Sequence, residues 1–129
     1  MSAKAKIEGL TNAWYGFAVF SAICSVLANG IGILSIVLAI GGLLFSWLMT
    51  FFIGRALIKK SSLTRFLLLV VSGIVTLVGT LGIGKAAWSF IQHWELSLLA
   101  YGAYTAVSTW MHARSFRTLM DSSVRAHFN

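Results

Sequence analysis

The sequence predicts an all-α, polytopic integral membrane protein: four transmembrane helices in a compact bundle, with both termini cytoplasmic. Three observations carry this reading. The 129 residues are 58% hydrophobic and only 10% charged, whereas an average soluble domain holds roughly 25% charged residues. Ala13 to Gly54 contains no Asp, Glu, Lys, Arg or His. Lys and Arg then gather on alternate connections between the apolar stretches. With a mean hydropathy of +0.87, the chain has too little charge to cover a water-facing surface. That excludes a soluble enzyme and a disordered tail. The single cysteine, Cys24, excludes an intrachain disulfide framework and a thiolate metal cluster.

As one helix, Ala13–Gly54 would run ~63 Å, twice the ~30 Å hydrocarbon core. It must fold back, and Asn29-Gly30-Ile31-Gly32 is the place, because Asn and Gly tolerate the positive φ of a tight turn. The first span is therefore expected at 10–28 and the second at 33–54. A basic stretch from Arg55 to Arg65, with Lys59-Lys60-Ser61-Ser62, separates them from a third span at 66–84. Lys85, His93 and Glu95 mark an external loop, and a fourth span is expected at 96–111. The whole of 1–129 reads as one domain. The chain has no proline, so no kink is signalled by that route. Lys4 and Lys6 followed by an apolar run ending at Val26-Leu27-Ala28 are reminiscent of a cleavable leader, but another long apolar segment follows at once. Ile23 before Cys24 also argues against a lipoprotein signal.

The cations set the orientation. Lys4, Lys6, Arg55, Lys59, Lys60, Arg65, Arg114, Arg117 and Arg125 fall on one side of a four-span chain, and Lys85 alone on the other. The positive-inside rule assigns the first set to the cytoplasm of a plasma (inner) membrane. Trp14, Trp47 and Trp110 near one set of span ends, with Trp88 and Trp94 near the other, match the interfacial habit of indole rings.

Helices in lipid pair through small residues that let backbones approach. Such stripes occur at Ala18, Ser21, Ala22, Ser25 and Asn29 in the first span. The second has Gly32, Ser35, Ala39, Gly42, Ser46 and Thr50. The third carries Ser72, Thr76, Thr80 and Gly84 at four-residue steps, with Gly79 beside them. The fourth carries Ser97, Tyr101, Tyr104, Thr105, Ser108 and His112. The plain interpretation is helix packing. The sharper one is a narrow polar path along spans three and four, in which hydroxyls would hydrogen-bond a small solute or anion.

Chemistry is scarce. The only acids, Glu8, Glu95 and Asp121, lie outside the expected spans, so the embedded carboxylate that couples proton-driven export is missing. His93 and Glu95 flank Trp94, with Gln92 a weak third donor. His112 and His127 stand fifteen positions apart in the sequence, and neither set has metal-ligand spacing. No acid is placed to orient a histidine toward a nucleophile. No catalytic, cofactor-binding or metal site is therefore expected.

The formal charge of +7 is explained by topology and by attraction to anionic lipids, and does not call for nucleic acid. After His112, Phe116, Leu119, Met120, Val124 and Phe128 interleave with Arg114, Arg117 and Arg125. This cytoplasmic tail (113–129) reads either as an amphipathic helix along the headgroups or as an extension of the fourth helix broken at Asp121-Ser122-Ser123. The function expected is non-enzymatic: a small accessory or interaction subunit meeting other membrane subunits, or itself, through helix faces. Two alternatives come from other classes, a homo-oligomeric pore of holin type and a haem or quinone anchor using His112.

Overall fold

A computed structural model describes residues 2–129. It contains five helices: α1 (Ala3–Asn29), α2 (Ile33–Ile58), α3 (Ser62–His93), α4 (Leu96–Met120) and α5 (Ser122–His127). The Ser2 hydroxyl accepts from the Ala5 N–H at 3.2 Å and starts α1. The Ser61 hydroxyl does the same for α3 with the Thr64 N–H at 3.3 Å. Both satisfy orphan donors of a first turn. The fold-back between α1 and α2 falls on the expected Asn-Gly segment. Gly30 takes φ +86°, a conformation that a Cβ would resist.

The helices outrun the expected spans: α1 begins at Ala3, α2 ends at Ile58 and α3 begins at Ser62, and the ends of α3 and α4 differ most. α3 runs through Lys85 to His93, because Lys85-Ala86-Ala87-Trp88 contains no helix breaker. One exposed lysine does not end a helix, and the α3–α4 connection shrinks to Trp94 and Glu95, with Trp94 at φ 52°. α4 likewise continues past Met111 to Met120. It ends where the Asp121 carboxylate accepts the Ser123 N–H at 3.0 Å and starts α5. The tail is thus a helical extension broken at Asp121.

The four-span bundle must be corrected. Among the described residues only α1, α2 and α3 are long and apolar enough to cross a membrane. α4 is the least apolar of the long helices. Its hydroxyls, tyrosines, His112, Arg114 and Arg117 supply packing and hydrogen bonds. Those same groups remove the transfer free energy that would carry it into lipid independently. One side of it faces protein: α4 packs against α3, α1 and α5 and buries Ala100, Thr109, Met111, Ser115 and Leu119, while Leu96, Tyr101 and Trp110 stay exposed. α2 is the opposite case. It buries only Ala39, Gly54 and Leu57, packs on α1 and barely touches α3. The arrangement is therefore a row, α2–α1–α4–α3, curled but not closed. At its basic end Ile7, Leu57, Leu119 and Val124 form a buried cluster, joined by Ile53, Leu68 and Phe128. The beginning of α1 and the tail meet there.

Candidate functional site

The unclosed row leaves a cavity of about 260 Å³ bounded by all four long helices. α1 contributes Leu10, Thr11 and Trp14, α2 the face from Phe45 to Leu57, α3 Leu68, Val71 and Ser72, and α4 His112, Ser115 and Leu119. Close α1–α2 approach at the basic end comes from Gly54, where an added Cβ would lie 3.0 Å from the Thr11 methyl. On the other side the gap between α2 and α3 stays open.

The polar wall of this cavity is built on α4. The Trp14 indole N–H donates to the Ser115 hydroxyl at 2.8 Å, which donates on to the Met111 carbonyl at 2.9 Å. His112 Nδ1 lies 2.8 Å from the Ser108 carbonyl. A carbonyl only accepts, so Nδ1 carries the proton there, and in the neutral ring Nε2 is an acceptor. Trp14 meets the imidazole edge-on, with centroids 4.9 Å apart. Opposite, Ser72 is 2% exposed yet its hydroxyl makes no hydrogen bond to the described protein. Every fully enclosed side-chain nitrogen or oxygen among the described residues has a partner. The Ser72 oxygen therefore abuts open space, and the open space it lines is the cavity. No Asp, Glu, Lys or Arg lines it.

The expected hydroxyl stripes divide. Thr76 donates to the Ser72 carbonyl, Thr80 to Thr76, and Thr105 to Tyr101, at 2.7–2.9 Å. Each is satisfied on its own helix, the usual habit of Thr inside helices. Ser72 is buried and Thr76 half-buried, whereas Thr80 and Gly84 are exposed. The reason is geometric: four-residue steps advance ~400°, so the stripe drifts ~40° per step around a helix of 3.6 residues per turn. Heptad steps drift by only ~20°, and the seam actually used is Ser72, Gly79 and Ala86. A methyl at Gly79 would overlap the Thr109 hydroxyl, one at Gly82 would lie 3.4 Å from Thr105, and Ala86 sits against Gly102. On α4, Tyr101 is exposed, Tyr104 stacks on Phe17 with centroids 5.9 Å apart, and Ser108 is half-buried. The Gly79–Thr109 and Trp14–Ser115 pairs escaped the sequence reading. A seven-residue count from Ser72 was the one available signal for the first.

The basic residues separate into two groups. Arg65 is structural: its Nε and Nη2 donate to the Leu119 carbonyl at 3.0 and 2.8 Å, and its guanidinium lies over the Phe128 ring. Lys6 donates to Asp121 at 3.0 Å and to Ser123 at 2.8 Å, and His127 Nε2 lies 3.2 Å from the Ile58 carbonyl. The Ser123 hydroxyl and N–H, with Lys6, hold the Asp121 carboxyl well below the usual carboxylate range. Arg55, Lys59, Lys60, Arg114, Arg117 and Arg125 remain exposed. Arg55 lies over Phe51 and Arg114 over Trp110. His93 and Glu95 are exposed on either side of Trp94.

No protein-family model matches the chain, and no curated protein or solved structure is detectably similar to it. The class is defined by its own physics: an all-α, largely apolar, membrane-associated protein with three candidate spanning helices.

Proposed function

We propose that the protein is a small non-enzymatic accessory or interaction subunit of the plasma (inner) membrane, with its basic end cytoplasmic. The observation that carries this reading is the uncovered outer face of α2. Apart from Ser35, Ser46, Thr50 and Arg55 its 26 residues are apolar, only three are buried, and α1 is the one helix packed extensively along it. Gly41 and Gly42 have nothing within 4 Å of an added Cβ, so a second backbone can approach there as closely as tight helix pairing in lipid requires. Little mass projects beyond the helices, so recognition falls to helix faces and to the exposed cations at the basic end. Those cations also attract anionic lipid, at about 1 kcal/mol each near the surface.

The test is native mass spectrometry of the protein extracted from its own membrane, beside liposome flux measurements on the purified chain. A defined hetero-complex or small oligomer is expected, lost in Gly41→Leu/Gly42→Leu, with liposomes remaining tight. A monomer under the mildest extraction refutes the subunit reading. Solute flux from the purified chain selects the pore instead.

A further inference from the structure

Independently of that reading, we propose that the cavity between α2 and α3 binds the oxygenated ring of a neutral prenyl quinone entering sideways from the bilayer. The Ser72 hydroxyl, on a residue only 2% exposed, makes no hydrogen bond within the described protein and opens onto the cavity, where it is free to donate to an acceptor. A ligand that covers this hydroxyl must supply its hydrogen-bond partner, or the burial is unfavourable. A quinone carbonyl is an acceptor of the right kind. His112 lines the same cavity: with Nδ1 committed to the Ser108 carbonyl, Nε2 is the nitrogen left over, and an unprotonated Nε2 accepts from a quinol hydroxyl. One site thus has a hydrogen bond for each form of the ligand.

Charge narrows the choice further. With no Asp, Glu, Lys or Arg in the lining, neither a phosphate headgroup nor a fatty-acid carboxylate would find a counter-charge in the low-dielectric interior. Shape completes the argument. Trp14 and Phe45 supply flat aromatic walls, and the volume of about 260 Å³ lies just under the ~300–1,000 Å³ of drug-sized ligand sites. It takes one ring. The tail would leave through the α2–α3 gap into lipid.

The probe is decylubiquinone, titrated by equilibrium dialysis into the full chain in phosphatidylcholine nanodiscs, with empty nanodiscs as the partition control. Saturable binding of one quinone per chain above the control is expected. Ser72→Ala, which leaves the α3–α4 contact its methylene, should weaken it about fivefold, the worth of one ordinary hydrogen bond. Val71→Trp, which obstructs the mouth, should abolish it, and Thr80→Val should leave it unchanged. Circular dichroism melts verify that each variant is folded. Three outcomes overturn the proposal: no excess over empty nanodiscs, full affinity in both Ser72→Ala and Val71→Trp, or equal displacement of the quinone by phosphatidylglycerol. The last makes the cavity an acyl-chain slot.

Discussion

Gly79→Ala tests how α3 and α4 are held together. A Cβ at Gly79 would overlap the Thr109 hydroxyl, with the Thr109 Cβ at 3.1 Å and its methyl at 3.3 Å. Both branches of the threonine are close, so rotation about χ1 replaces one clash with another. It would also break the Thr109 bond to the Thr105 carbonyl, now 2.8 Å. Relief then requires α3 and α4 to separate, and overpacking of this kind costs about 1–3 kcal/mol. The better helix propensity of Ala returns up to about 1 kcal/mol. A net loss of about 1–2 kcal/mol is expected, read as the shift of reversible unfolding in mixed micelles titrated with a denaturing detergent. Gly84→Ala, with nothing within 4 Å, is the internal control and should be neutral or slightly stabilising. Thr109→Ala in the Gly79→Ala background should restore much of the loss, since the two sites share one contact. If Gly79→Ala is as stable as Gly84→Ala, the glycine–threonine seam does not set the α3–α4 distance and the packing account fails.

Three further outcomes follow from the same geometry. Gly30→Ala should lose about 1–3 kcal/mol because φ +86° is strained for any Cβ. Gly32→Ala, at φ −159°, should change stability little in the same titration. Arg65→Met keeps an apolar stem but drops both hydrogen bonds to Leu119. Trypsin should then cut at Arg117 and Arg125 several-fold faster, reflecting a loss of about 1–2 kcal/mol in tail docking. Asp121 sets the pH response: its folded pKa lies below the unfolded ~3.9, so its contribution is full above that value and is lost as pH falls toward the folded pKa. Tail proteolysis, followed with an acid-tolerant protease, should therefore rise as pH falls below about 4. In Asp121→Asn the acid step should vanish. An unchanged step would assign it to another group.

The sequence by itself determined where the chain turns and what medium it lives in. A charge-free run of that length cannot stay one helix in a bilayer, and Asn29-Gly30 was the one segment able to reverse it. The long apolar stretches of α2 and α3 needed no neighbour to declare themselves. The composition of α4 already sets it below the three candidate spans. Only the tertiary structure shows what its Ser, Thr, Tyr and His side chains meet, with α3, α1 and α5 along its packed face. It also decided which small residues meet: a stripe at four-residue steps looks continuous on paper but winds off the contact face, leaving Ser72 inside and Thr80 outside. The cavity belongs wholly to this second kind of information. Trp14, Ser72, His112 and Ser115 come from three separate helices, and nothing in their local sequence records that α2 and α3 fail to close over them.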